Sequence, residues 1–257
     1  METRFVELYD VHVGNELTST RDGWKLLPAH DEGLIKRTLK FVNDFKPDVV
    51  ILGGDQLNFD DISDYTKNYK IDKAPGTIRK AFEDFDRLLG VPLTKLGCKI
   101  WWMEGNHEAR LEKFIAKFPA LEGLVDIRTN LPNLDVFYGR GEIAKLGKLH
   151  FVHGDTILGS RGKHPASSLM SRYHCNIHCG HFHKYDIAVE NSWADTKDVK
   201  MAVSMPCMRN RRPGFLHGSP NAHVQGFGYG FVTSKGNFNS YVVIDTGSFT
   251  VNGKVYA

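Results

Sequence analysis

The 257-residue sequence predicts an α/β fold in which a mostly parallel sheet comes first and a second, more antiparallel set of strands follows. Two observations carry this. Up to Phe118, short apolar runs alternate with segments of helical period, an order of strand, helix, strand, helix, strand, helix that builds a parallel sheet with helices packed on it. Beyond Pro132 the helical periods give way to short strand-like runs separated by tight turns. A chain that is 41% apolar and 25% charged is an ordinary globular one, and its length suits one large domain over residues 1–257.

Residues 3–9 alternate as a strand and deliver Asp10 and His12. Residues 15–29 show no clear period and read as a loop over the sheet edge, placed to line a pocket. In residues 31–45, Leu34, Ile35, Thr38, Phe41, Val42 and Phe45 recur at spacings of three and four, the buried stripe of an amphipathic helix that Pro47 closes. The wholly apolar run 49–52 is a strand stopped by Gly53 and Gly54 at Asp55. Residues 58–73 are polar and irregular, after which Pro75 opens a helix with Ile78, Phe82, Phe85, Leu88 and Leu89 on its apolar face. The run KIWWM at 99–103 is a strand covered on both faces. Gly105 and Asn106 end it, and a helix follows over 109–118. The later strands are predicted at 134–138, 148–152, 175–179, 200–204, 229–233 and 240–244, with a hairpin across 245–253.

The net charge of +3 is too small to indicate a nucleic-acid binder by itself. No apolar run approaches a membrane span and no signal core opens the chain, so the expected location is the cytoplasm. Cys98, Cys175, Cys179 and Cys207 read as reduced, mostly buried thiols, three of them in apolar strand-like runs. A zinc site at Cys175, Cys179, His174 and His178 is disfavoured, because alternate residues of a strand would divide the four between two faces. His150, His174 and His178 read as core histidines.

Five strand ends supply Asp10, His12, Asp55, Asn106, His107, His153, His181 and His183. Imidazoles, carboxylates and an amide oxygen converging at the carboxyl edge of a sheet suit a pair of divalent cations of the manganese, iron or zinc type. The blocks DVHVG, GGDQLN, GNHE, VHGD and GHFH, in this order between residues 10 and 183, resemble the five signature blocks of the calcineurin-like metallophosphoesterase family. The resemblance implies a four-layer αββα fold, two packed β-sheets flanked by helices. It implies that Asp10, His12 and His183 hold one metal, that Asn106, His153 and His181 hold the other, and that Asp55 bridges them. Manganese is the expected metal, with iron and zinc as alternatives. Two cations about 3.5–4 Å apart can lower the pKa of a shared water and stabilise an in-line displacement at phosphorus, with hydroxide as nucleophile. His107 resembles the family histidine that binds the phosphoryl group and protonates the leaving oxygen.

Departures from the family matter too. Protein Ser/Thr phosphatases continue the second block with an Asp that orients the catalytic His and an Arg that clamps phosphate; here Asn58 and Phe59 stand there, which disfavours a protein phosphatase. Asn58 can still accept a hydrogen bond, and Arg110 is a candidate phosphate clamp, its alternative being an ordinary helix-surface charge. Glu108 and Asp155, each next to a ligand position, are candidates for orienting the histidine ligands. Arg209, Arg211 and Arg212 suggest an anion-binding rim, with Lys163 and His164 weaker candidates of the same sort.

The expected function is hydrolysis of a phosphate ester, with a lean towards phosphodiesters and nucleic acid, and phosphomonoesters as the alternative. A non-catalytic scaffold of the same fold is the reading from another class, and the intact set of seven ligands with His107 argues against it. A nuclease of the repair type would need a partner or a homodimer, since only 74 residues follow His183 (257 minus 183).

Overall fold

The computed structural model describes residues 2–20, 23–63, 77–157, 163–191, 199–213 and 221–257. The chain runs through β1 (Thr3–Leu8), β2 (Asn15–Thr20), β3 (Gly23–Pro28), α1 (Glu32–Phe45) and β4 (Val49–Leu52). Helix α2 (Thr77–Phe85) continues through a wider turn at Asp86–Gly90 into α3 (Val91–Lys95), followed by β5 (Lys99–Met103), α4 (Ala109–Lys117) and α5 (Ile127–Asn130). Next come β6 (Val136–Tyr138), β7 (Ala144–Leu146), β8 (Leu149–Val152), α6 (Pro165–Tyr173), β9 (Ile177–Cys179), β10 (Asp186–Asn191) and β11 (Val199–Ser204). The last strands are β12 (Gly226–Val232), β13 (Phe238–Ile244), β14 (Phe249–Val251) and β15 (Lys254–Tyr256). Pro75, expected to open α2, lies outside the described residues.

The larger sheet has the order β13-β12-β1-β4-β5-β6, with β1, β4, β5 and β6 mutually parallel. Period-two alternation in these strands decides the layering. Val6, Leu8, Val50, Leu52, Ile100 and Trp102 face α1 to α3, while Phe5, Val49, Ile51 and Met103 meet Ala144, Leu149 and Phe151 of the second sheet. That second sheet, β10-β11-β9-β8-β7, packs its other face on Leu169 and Met170 of α6. Helices, sheet, sheet and helix make the four-layer αββα arrangement.

Several details differ from the sequence expectations. Residues 15–29 are not a loop: β2 and β3 form an antiparallel hairpin, too polar in its first strand to show an apolar alternation. The segments read as 229–233, 240–244 and 134–138 join the first sheet, since alternation identifies a strand without naming its partner. In β12 the aromatic side chains of Phe227, Tyr229 and Phe231 lie against Phe41 and Phe45 of α1, which draws the strand to the free edge of β1. The second sheet is parallel at its centre, through β8, β9 and β11, and antiparallel only at its two edges. Helix α6 and strand β10 had no clear period, the one being rich in serine and the other half-exposed. The C-terminal hairpin forms as expected, turning at Asn252 and Gly253 with φ of 50° and 78°.

The four cysteines are free, with Cys98, Cys179 and Cys207 buried and Cys175 partly so. His178 is a paired core histidine, donating from Nδ1 to Glu7 Oε1 at 2.8 Å, and His150 donates to the Asn176 carbonyl at 3.0 Å. His174 is not in the core: it is the exposed C-cap of α6, with φ of 46° and Glu190 3.6 Å away. Among the described residues no helix is long and apolar enough to cross a membrane.

Candidate metal centre

The carboxyl ends of five strands meet at one place. Asp10 and His12 follow β1, Asp55 follows β4, Asn106 and His107 follow β5, His153 follows β8, and His181 and His183 follow β9. The loops after β1 and β4 stay zipped together, with Asp10 N–H donating to Gly54 O, His12 N–H to Asp55 O and Val13 N–H to Gln56 O at 2.7–3.1 Å. Three overlapping groups offer ligand atoms within 4.8 Å of one another: Asp10 with His12 and His183, His12 with Asp55 and His107, and Asp55 with His153 and His181. Asn106 Oδ1 lies 3.4 Å from His153 Nε2, on the side of the third group.

The backbone at these positions is unusual. Asp10, His12, Asp55, His181 and His183 have φ between 51° and 69°, in the left-handed region that costs a non-glycine residue about 1–2 kcal/mol. Close approach does the rest. A Cβ at Gly105 would stand 2.2 Å from Asp55 Oδ1 and 2.8 Å from His153 Nε2, and one at Gly54 would stand 2.4 Å from His153 Nδ1. Both glycines are therefore required for the ligand side chains to converge.

The electrostatics favour a cation. Asp10, His12, Asp55 and His153 are buried, and two carboxylates in such surroundings attract positive charge. Asp55, despite its burial, is held well below the usual carboxylate range by His153 and His107. Against the cost of burial, Asp55 in turn pushes His153 up to about 10. Burial, with Arg209 and His107 nearby, holds His12 well below its ordinary value. The mixed nitrogen and oxygen donor set fits divalent ions of the manganese, iron and zinc group.

Hydrogen bonds outside the cluster fix its members. His12 donates from Nδ1 to Asn58 Oδ1 at 3.0 Å, and His153 donates from Nδ1 to Gly53 O at 3.1 Å. His107 donates from Nδ1 to the Asn58 backbone carbonyl at 2.7 Å, so Asn58 serves two histidines by different atoms. The side chain expected to orient His107 instead orients His12. Arg110 donates to the same carbonyl at 2.8 Å, pairs with Asp60 Oδ1 at 2.5 Å and reaches His107 Nε2 at 3.1 Å. It thus faces the centre and is not a helix-surface charge. Burial, and Arg110 against the pull of Asp55, bring His107 down to about 4.

Glu108 accepts the backbone N–H groups of Asp55, Leu57 and Gly105 at 2.9–3.0 Å, which joins two ligand loops and contacts no ligand imidazole among the described residues. Asp155 turns to Arg140 Nε at 2.6 Å. The arginine tract does not form one rim: Arg209 lies close enough to the centre to act on His12, whereas Arg211 and Arg212 face elsewhere. Arg209 is buried in an ion pair with Glu16, while Arg211 donates to Gln225 Oε1 and the Asp245 carbonyl. Arg211 and Arg212 line a separate cavity of about 390 Å³ with Asp31, Arg37 and Asp245. Lys163 and His164 are exposed ahead of α6.

The calcineurin-like phosphoesterase family matches residues 5–233 of this sequence. The chain belongs to that family. As a calcineurin-like phosphoesterase it is 26% identical over 245 residues to the Gene 54 protein of Mycobacterium phage D29, covering 90% of this chain and 94% of that one. Among solved structures it resembles a dimetal phosphatase from Danio rerio (9% identity, TM-score 0.44, 95% of each chain). It also resembles a 5′-nucleotidase precursor from Thermus thermophilus (11% identity, TM-score 0.38), matching 95% of this chain and 54% of that one. The family implies a dinuclear divalent-metal centre, and the described residues contain the His and Asp groups to build it.

Two groups near the centre were not expected from the sequence. Asp60 anchors Arg110, and His223 packs its ring on His183 with centroids 4.7 Å apart. Neither lies in a motif. A histidine in a Gly, His and Asn-rich tract carries no periodic signal, and only its chemical type could have drawn notice.

Removing the Asn58 side chain is expected to free His12 Nδ1 and lower manganese affinity about 10–100-fold, while the backbone carbonyl continues to hold His107. Titration of metal-stripped Asn58→Ala with manganese tests this, and wild-type affinity would exclude the orienting role. Glu104, buried near Glu112 at the end of β5, is pushed up to about 7 by burial first and then by Glu112. Its folded pKa exceeds the unfolded one, so its contribution is fully present below about 4.5 and is lost as pH rises through about 7. Glu104→Gln is therefore expected to be more stable than wild type at pH 8 by on the order of 1–3 kcal/mol and nearly equal at pH 4.5. Denaturant melts at the two pH values measure the difference, and equal curves at pH 8 would refute it.

Proposed function

We propose that this chain is a divalent-metal-dependent phosphoesterase. The observation that carries the reading is the convergence of three His and Asp ligand groups at five strand ends, with His107 and Arg110 beside them. Asp10, His12 and His183 would hold one cation, Asn106, His153 and His181 the other, with Asp55 between them. When bound, the two ions supply a hydroxide nucleophile at neutral pH and stabilise the charge that builds on the phosphoryl oxygens. His107, fixed at Nδ1 by the Asn58 carbonyl and neutral in the free site, presents Nε2 to the phosphate; the charge of a bound phosphate ester would favour its taking a proton from solvent at Nε2, and that proton would pass to the leaving oxygen. Arg110, held by Asp60, offers a guanidinium to the phosphoryl group at the same place.

The substrate we propose is a phosphodiester, nucleic acid included, because the position of the protein-phosphatase arginine holds Phe59. A phosphomonoester is the second reading, favoured by Arg110, whose guanidinium beside His107 suits a terminal dianion. Hydrolysis of p-nitrophenyl phosphate and bis-p-nitrophenyl phosphate by a metal-stripped sample, with and without manganese, tests both readings. Manganese-dependent preference for the diester is the expected result. Preference for the monoester would select the second reading, and no hydrolysis of either ester with manganese present would overturn the enzymatic one.

A further inference from the structure

The imidazoles of the centre pack in succession. His107 lies edge-on to His12 with centroids 4.4 Å apart, His12 to His183 at 5.2 Å, and His183 to His223 at 4.7 Å. His12 and His183 share a ligand group with Asp10, whereas His223 belongs to none of the three groups. It stands 40 residues beyond the last motif (223 minus 183).

Its position is built by the backbone. Val224 N–H donates to His183 O at 2.8 Å, Val224 O accepts from Cys207 N–H at 2.9 Å, and His223 N–H donates to Asn221 Oδ1 at 2.9 Å. The ring is partly buried, and its Nδ1 is sealed from solvent with no hydrogen-bond partner among the described residues. A ring kept only for packing has no need of such an atom, because an unpaired polar group out of water is unfavourable. An imidazole held against a metal-type histidine, only partly buried and with a nitrogen left unpaired, is instead suited to turn towards an anionic oxygen-rich ligand arriving at that centre.

We propose that His223 is a substrate-contacting residue of this centre, hydrogen-bonding the phosphate ester beside the Asp10, His12 and His183 group. This rests on reading the centre as a phosphoesterase site. It places a histidine on each side of the His12 and His183 pair: His107 at the leaving oxygen and His223 at another oxygen of the ester.

The test is calorimetric titration of inorganic phosphate into manganese-loaded wild type, His223→Ala and His223→Gln, with elemental analysis of each sample. His223→Ala is expected to keep two ions and bind phosphate about tenfold more weakly, the loss of one hydrogen bond. His223→Gln, which retains a donor, is expected to recover part of that loss, and KM for the preferred nitrophenyl ester should rise more than kcat falls. Equal phosphate affinity in wild type and His223→Ala overturns the proposal and leaves the phosphoesterase reading intact. Loss of an ion in His223→Ala also overturns it, by showing that the ring serves to hold His183. Manganese-loaded wild type that binds no phosphate overturns both.

Discussion

Alanine at position 107 is expected to lower kcat by a factor of about 10²–10⁴ while the protein keeps its cations. The imidazole is pinned at one nitrogen, with Nδ1 donating to the Asn58 carbonyl at 2.7 Å, which leaves Nε2 as the working atom. That atom is 3.1 Å from Arg110 Nη2 and 3.9 Å from Asp55 Oδ2, whereas His153 Nε2 is 3.3 Å from the same carboxylate oxygen. His107 is therefore turned towards the arginine, and His153 towards the ligand cluster. Steady-state kinetics with elemental analysis of the same preparation separates the two roles. An unchanged kcat would remove His107 from the chemistry, and loss of an ion would make it a ligand.

Asp55→Asn is expected to empty both metal positions together, with affinities falling more than about 100-fold, beyond the range for residues that only orient a ligand. Asp55 belongs to two of the three ligand groups, and its Oδ1 also accepts the His107 N–H at 2.8 Å. Asparagine keeps the shape and that acceptor but removes the charge that two cations would share, so the fold should persist while the ions leave. Retention of two tightly bound ions after gel filtration would end the bridging assignment. Loss of one ion alone would place Asp55 in a single site.

The candidate ligands were legible in the sequence because Asp, His and Asn recur at the ends of five apolar strands, where a single such pair would read as a turn and a helix cap. A core residue cannot carry such groups there without a partner. The long helix α1 was equally plain, since Leu34, Ile35, Thr38, Phe41 and Val42 are all buried on the face their spacing predicts. Strand pairing was not legible: the aromatic face of β12 proves a buried strand but does not say that β1 is its neighbour. Nor could the sequence show that Asn58 would send its side chain to His12 and its carbonyl to His107, because backbone and side-chain acceptors of one residue look alike in one dimension. The three arginines near residue 210 misled for a related reason. Their clustering in sequence suggested one anion site, but the chain bends at Arg211 and Arg212, so side chains that a straight strand would send to one face part company. Arg209 meets Glu16 while Arg211 meets Gln225.

The left-handed backbone at Asp10, His12, Asp55, His181 and His183 sets the proposed ligand positions against the stability of the fold. At about 1–2 kcal/mol per residue, five such positions oppose a net stability that for a domain is only about 5–15 kcal/mol. Cations that bind the native state and not the unfolded one offset that cost by mass action, so the melting temperature should climb with free manganese and fall under chelation. Under the proposed assignment, the replacements that would relax these five backbones are the ones that would discard ligands.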